Sequence, residues 1–246
     1  MPVGMERLLI FGLGYTASRF ADPMRTQGFA VDATGSAGNL DFSDMEAVND
    51  AIGRATHILS SVPPDRATGS DPVIDTYGRA LATAPARWVG YLSSTGVYGD
   101  AGGAWVDEAT PIGGGRRNAR MAADVEWQSL SKKVRVFRLP GIYGPGRSAL
   151  DKVCAGKAHR IDLPGQIFSR VHVDDIVGGL LASLGGPPGI YNLADDPGES
   201  NNLAADHPDV VAELMVYIEQ ARADLGDTGT NNPGTGRRPA GRRDLP

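Results

Sequence analysis

The sequence predicts an α/β fold, a doubly wound parallel sheet with helices on both faces and a small substrate lobe, complete or truncated. Three observations predict it. Short apolar runs alternate with longer stretches of helical periodicity. The first run turns through glycines directly into a helical pattern. A chain of 246 residues, 41% of them apolar, can bury one large core, or one core with an appendage.

The apolar runs fall at 8–11, 29–34, 57–62, 88–93, 134–139 and 190–193, and helical patterns lie near 15–27, 43–53, 72–84, 117–130 and 173–184. The first helix is expected to be shortened or kinked at Asp22-Pro23, because proline has no amide to donate. Ser60-Ser61-Val62-Pro63-Pro64 ends the 57–62 run at the carboxyl edge of the sheet, where such folds bind ligands, and its prolines predict a fixed loop there. His172-Val173-Asp174-Asp175 opens the last of these helices, with both carboxylates favoured by its positive end.

From Asp196 the texture changes. Val211, Leu214, Met215, Ile218 and Leu225 share one face, so 208–225 reads as an amphipathic helix. Beyond Gly226 almost nothing is apolar, and a disordered tail is expected, with Arg237, Arg238, Arg242 and Arg243 as its solvated basic tip. The expected organisation is a main domain over 1–195, an appended helical segment over 196–225 and a tail over 226–246.

A net charge of −5 argues against a nucleic-acid partner, which needs a basic face. The one cysteine, Cys154, excludes an internal disulfide and fits a reducing cytoplasm; it reads as a small buried hydrophobe. No secretory signal and no apolar stretch long enough to span a bilayer is read, so the expectation is a cytoplasmic protein with no membrane partner. The four histidines are scattered without metal-ligand spacing, and no metal is expected.

The glycine turn carries the first functional reading. In Arg7-Leu8-Leu9-Ile10-Phe11-Gly12-Leu13-Gly14-Tyr15-Thr16-Ala17, Gly12 lets the strand turn tightly. Gly14 lets a pyrophosphate approach the backbone, and Ala17 keeps the helix close to the sheet. Leu13, Tyr15 and Thr16 complete a nest of amides at the helix start, where the dipole favours an anion. A dinucleotide cofactor is therefore expected. The position that selects between NAD and NADP falls at about Gly35, flanked by Thr34 and Ser36, while Asp32 lies earlier, within the strand. With no carboxylate to exclude a 2′-phosphate and no arginine to clamp one, the reading leans slightly to NADP over NAD. Asp41-Phe42 reads either as an adenine contact or as the cap of a helix starting near Ser43. Ser60, Ser61 and Val62 are placed beside the cofactor.

Four further motifs follow in order. They are Tyr91-Leu92-Ser93-Ser94-Thr95-Gly96-Val97-Tyr98-Gly99-Asp100, then Arg138-Leu139-Pro140-Gly141-Ile142-Tyr143-Gly144-Pro145-Gly146, then Val171-His172-Val173-Asp174-Asp175, then Ile190-Tyr191-Asn192-Leu193-Ala194. In order and spacing they resemble the short-chain dehydrogenase/reductase superfamily, in its extended branch of nucleotide-sugar epimerases and dehydratases, over about residues 6–195. The resemblance implies a Rossmann-type fold and a small-molecule substrate, with Ser93 and Pro140 near the cofactor. It implies that Ser94, with Thr95 adjacent, bonds the reacting oxygen. It also places Arg116 and Arg120 where the family carries a Tyr and, four residues later, a Lys. A guanidinium, with a pKa above about 12, is a poor acid near neutrality. Arg120 can still donate to the nicotinamide ribose. This departure resembles atypical members of the branch, which keep the cofactor fold and lose the Tyr.

A substitute acid would be Tyr98, which also reads as a packed strand-end aromatic, or Tyr143 at the carboxyl edge; His172 titrates in the right range but reads better as a helix start. Arg147, Arg160 and Arg170 lie in the region that covers substrate in the extended branch, and suit a phosphate or carboxylate unless they are plain surface charge. Extended relatives often pair through two helices, which makes a homodimer through 72–84 and 117–130 an expectation. Asp195-Asp196-Pro197-Gly198-Glu199-Ser200-Asn201-Asn202-Leu203-Ala204 resembles the C-terminal region of sulfatases, without their metal and nucleophile motifs, and raises a chimeric or truncated chain. Three readings stay open: an NAD(P)-dependent oxidoreductase or epimerase-like enzyme, a dinucleotide-binding sensor or scaffold without turnover, and a truncated fragment of such an enzyme.

Overall fold

The computed structural model describes residues 5–113, 118–157 and 169–194, and single positions 212, 215, 216, 219, 222 and 223. The chain divides into two compact units, one of Met1–Gly144 with Gly165–Asp195, the other of Pro145–Pro164 with Asp196–Pro246. The sulfatase-like stretch, Arg116, Arg160 and the 226–246 tail lie outside the described residues, as does most of the 208–225 helical pattern.

The first unit is the doubly wound sheet. Strands β1 (Arg7–Phe11), β2 (Ala30–Ala33), β3 (His57–Ser60), β4 (Trp88–Ser94), β5 (Val134–Leu139) and β8 (Gly189–Asn192) form a six-stranded sheet in the order β2-β1-β3-β4-β5-β8. Every pairing in it is parallel. The order reverses between β1 and β3, which opens a crevice at the carboxyl ends of those strands. Beside β2 a parallel bridge joins Thr34 to Leu40. A second, two-stranded parallel ladder pairs β6 (Gly141–Tyr143) with β7 (Arg170–His172).

Both faces are covered, which is why β3 and β5 are buried at every position. On one face α2 (Met45–Arg54), α3 (Pro72–Ala82) and α4 (Asn118–Leu130) pack Val48, Ile52, Val73, Tyr77 and Trp127 against Leu9, Ile58 and Val136. On the other, α1 (Tyr15–Thr26) and α6 (Val173–Ala182) pack Phe20, Met24, Ile176 and Leu180 against Leu8, Ile10, Trp88 and Phe137.

Three expectations need correction. Helix α1 is not shortened at Asp22-Pro23; it runs through to Thr26 and Gln27 donates to the Pro23 carbonyl at 3.0 Å. Phe20, Ala21 and Met24 are all 0% exposed on either side of the proline, and that burial outweighs one missing bond. Helix α2 starts at Met45, close to the expected Ser43, but its cap is Asp44 rather than Asp41, accepting from the Ala47 amide at 3.0 Å. Cys154 is exposed rather than buried. It ends α5 (Ala149–Cys154), a short helix of the second unit whose Ser148 and Asp151 form a reciprocal cap. Among the described residues no helix is long and apolar enough to cross a membrane.

Candidate active site

The β1–α1 turn is built by three segments that meet at the crevice. Gly12 takes φ +82°, open to glycine but rarely to other residues. A side chain there would also meet Val62 Cγ2 at 3.0 Å and Ser61 Oγ at 3.1 Å. The Gly12 amide donates to Thr34 Oγ1 at 3.2 Å and the Leu13 amide to the Thr34 carbonyl at 2.8 Å. From the other side Ser61 Oγ donates to the Gly12 carbonyl. Gly35, at φ +105°, would place a Cβ 3.1 Å from the Leu13 nitrogen. The end of β2 and the loop after β3 therefore clamp the turn between them.

Gly14 is different. It is exposed, its φ of −94° suits any residue, and a Cβ on it would meet nothing within 4 Å. It is the N-cap of α1 and supplies no side-chain cap, so the helix presents uncapped backbone beside open space. Behind it Thr16 and Ala17 are buried at 6% and 0% exposed. A pyrophosphate fits this cradle by charge and shape: bare backbone, the positive end of a 12-residue helix and no carboxylate in its first turn.

The structure places the other predicted contacts one by one. Thr34 is 1% exposed and its hydroxyl braces Gly12, so it holds the turn rather than facing the crevice. Ser36, two residues on, is exposed. Asp32 lies within β2 as expected, and its carboxylate accepts from Asn39 Nδ2 at 3.0 Å and pairs with Arg54 at 3.4 Å. Asp41 caps no helix: its carboxylate accepts from the amide and hydroxyl of Ser43, at 2.9 and 2.8 Å, and these bonds hold its pKa below the usual value. Phe42 is half-buried, edge-on to Phe11 and Tyr77. Ser60, 0% exposed, has a hydroxyl without a hydrogen-bond partner among the described residues.

At the end of β4, strand alternation separates two serines. Ser94 is half-buried, and its Oγ accepts from the Gly96 amide at 3.1 Å, starting the 3-10 turn Thr95–Tyr98. Ser93 turns inward and donates to Asp124 at 2.5 Å, so its hydroxyl serves the core rather than a cofactor. Asp124, 0% exposed, also accepts from Arg138 Nη2 at 2.9 Å and Nε at 3.3 Å, and from Gln128 at 2.7 Å. Arg138 is 2% exposed, lies 4.9 Å from the Tyr98 ring centroid and donates to the Tyr98 hydroxyl at 3.1 Å. That hydroxyl donates in turn to the Asp107 carbonyl at 2.7 Å. Burial pushes the Tyr98 pKa up, against the pull of Arg138. Tyr98 is thus the packed aromatic of the two readings, not an acid open to substrate.

Arg120, half-buried on α4, donates to Tyr91 Oη at 3.3 Å and to the Leu92 carbonyl at 3.4 Å. Pro140 is buried where β5 passes into β6. Tyr143 is 43% exposed on β6, its ring edge-on to His172 at 5.1 Å. His172 does start α6: its Nδ1 accepts from the Asp174 amide at 3.3 Å. Arg170 lies across Gly141 on the small ladder, and Arg147 belongs to the second unit.

The buried Asp124–Arg138 pair went unread in the sequence. Its signal was available: two arginines, Arg135 and Arg138, inside the otherwise apolar strand Val-Arg-Val-Phe-Arg-Leu demand buried partners. A hollow of about 280 Å³ lined by Gln128, Lys132, Val134 and Ile190 lies at the opposite edge of the sheet, where β5 and β8 begin, and gathers no acid–base pair.

Compared with solved structures, the chain is 38% identical to a functionally unknown conserved protein from Silicibacter pomeroyi DSS, over 86% of this chain and 79% of that one, with a TM-score of 0.67. The chain belongs to that protein's family. The same fold recurs in a protein from Methylobacillus flagellatus described as a putative NAD-dependent epimerase/dehydratase, at 22% identity and TM-score 0.60, over 77% of this chain and 75% of that one. It recurs in the dTDP-glucose 4,6-dehydratase of Bacillus anthracis str. Ames in complex with NAD, at 18% identity and TM-score 0.61, over 92% of this chain and 83% of that one. No family model and no curated protein matches the chain, so the sulfatase resemblance of the 195–204 stretch gains no support.

Proposed function

We propose that this chain is an atypical member of the extended short-chain dehydrogenase/reductase branch. It is an NAD(P)-binding, epimerase- or dehydratase-like oxidoreductase whose substrate is a nucleotide sugar or a related carbonyl or hydroxyl compound. The observation that carries the reading is the bare face of Gly14 at the head of α1. The amides of Gly12, Leu13 and Gly14 are spent on the turn itself, so the pyrophosphate is held at the head of α1, by the first-turn backbone at Tyr15 and Thr16 against the bare face of Gly14, with Thr34 and Ser61 fixing the turn from behind. The absence of a free carboxylate after β2, together with the exposed Ser36 hydroxyl, favours NADP over NAD.

When bound, the nicotinamide supplies the hydride donor or acceptor. Ser94 receives the Gly96 amide on its oxygen, which sets its rotamer and leaves its O–H to donate to the reacting oxygen. Arg120 stays charged and orients rather than giving up a proton. Tyr143, 43% exposed on β6 with its ring edge-on to His172, is the phenol assigned as proton donor.

A second reading, a dinucleotide-binding sensor or scaffold without turnover, is favoured by one observation: the Tyr98 phenol is buried and committed to Asp107 and Arg138.

Gly14→Val tests the cradle. The backbone there accepts any residue and the new side chain meets no protein atom, so the variant folds with an unchanged Tm. It puts two methyls where the phosphates lie, and dinucleotide affinity falls by at least about a hundredfold, the order of one lost charge-assisted contact set. Binding that survives in the folded variant places the cofactor elsewhere.

A further inference from the structure

Of the chain's 3 tryptophans, two are core residues: Trp88 and Trp127 are both 0% exposed. Trp105 is 76% exposed. A single exposed apolar side chain is ordinary on a protein surface. What sets Trp105 apart is how its loop is pinned. The residue after it, Val106, accepts on its carbonyl from Asn192 Nδ2 at 2.8 Å. The Asp107 carbonyl accepts from Tyr98 at 2.7 Å, and the Asp107 amide donates to Thr110 Oγ1 at 2.9 Å. Glu108 accepts from the Asn192 amide at 2.8 Å, and the Gly113 amide donates to the Val97 carbonyl at 3.2 Å.

These bonds fasten the loop to the 3-10 turn that follows Ser94 and to the end of β8. On the other side of Trp105 lie Gly102 and Gly103, at φ +60° and +83°. That flank is a turn as well, with the Gly102 amide donating to the Asp100 carboxylate at 2.8 Å and the Ala104 amide to the Ala101 carbonyl at 3.0 Å, so the indole is held out from a backbone bonded on both sides. Its place is set as well. Sheet order puts the glycine cradle at the β1–β3 side of the crevice and the Trp105 anchors at the β4–β5–β8 side. With a dinucleotide in the cradle, that second side is left for the substrate.

We propose that Trp105 is a specificity-determining residue, the platform on which the nucleobase of a nucleotide-linked substrate stacks. The inference rests on the cofactor reading above for the side of the crevice that the substrate takes. An indole offers a large apolar π-face at little entropic cost, and its pinned backbone pre-pays the ordering that a free loop would lose on binding.

The test uses the full chain and tryptophan fluorescence, because only one of the three indoles is open to acrylamide. Quenching is measured alone, with saturating NAD⁺ or NADP⁺, and with the oxidised dinucleotide plus UDP or dTDP; Trp105→Phe identifies the quenchable component. NADPH binding is followed in parallel by nicotinamide fluorescence. The expected result is shielding of Trp105 several-fold when UDP or dTDP is added, but not by dinucleotide alone. Trp105→Ala then weakens the nucleotide about tenfold, as one lost base stack does, and leaves NADPH affinity unchanged.

The inference is overturned by shielding with dinucleotide alone, by shielding that grows with protein concentration in the absence of nucleotide, by shielding that needs an attached sugar, or by nucleotide affinity indifferent to Trp105→Ala. Loss of NADPH binding beside intact nucleotide shielding sinks the cofactor reading alone.

Discussion

His57 sits at the amino end of β3, 2% exposed, with its Nδ1 2.9 Å from Thr56 Oγ1 and its ring edge-on to Phe29 at 5.0 Å. Burial, helped by the charge of Arg87, lowers its pKa from 6.5 to about 4, against the pull of Glu6. The folded state thus binds its proton less readily than the unfolded chain does. The stability this contributes is complete above the unfolded value of 6.5 and is lost as pH falls from there toward about 4. The expected outcome is a Tm that declines over that window, and a flatter limb in His57→Gln when both are followed by circular dichroism. Equal slopes in the two proteins would place the titrating group elsewhere. Residue by residue, the sequence was readable where backbone need decides, as at Gly12, whose φ of +82° is the tight turn expected. It was less readable for hydroxyls. Thr34 and Ser93 were expected beside a cofactor, yet one braces a turn and the other an ion pair. A hydroxyl's direction is set by strand alternation and by its neighbours, which residue type does not reveal.

At the scale of elements, Asp124 joins α4 to β4 and β5. Its carboxylate is 0% exposed and receives Ser93, Gln128 and both faces of the Arg138 fork. Replacing one partner of such a pair strands the other charge in the core. Asp124→Ala is therefore expected to cost about 3–5 kcal/mol, read as a Tm drop on the order of 10 °C for a chain of this size. A drop of a degree or less would mean that Arg138 finds another partner or water. Strands β1 to β5 and β8 were legible as apolar runs because both faces of the sheet are covered. The ladder of β6 and β7 was not: each strand is three residues long, half-exposed at best, and paired across a long stretch of chain. Helix α1 misled through its proline, since local propensity was overruled by three fully buried neighbours.

At the scale of the molecule, strand order and motif order agree. The glycine turn lies where the sheet reverses, Ser94 ends the next strand but one, and the loop carrying Trp105 is tied to the far edge. One cleft edge thus gathers the Gly12–Gly14 turn, the Ser94 hydroxyl and the loop carrying Trp105, which under the proposed function serve as phosphate cradle, hydroxyl donor and aromatic platform. The fold and the β1–α1 turn were legible because each rests on a pattern continuous in sequence. Arg120's turn toward Tyr91 and the closing of Tyr98 over Arg138 depend on contacts between distant segments. The most direct measurement of the central claim is a titration of the purified chain with NADPH and NADH separately, followed by nicotinamide fluorescence. Saturable binding, tighter for NADPH, is the predicted result; saturation by neither dinucleotide would contradict the account.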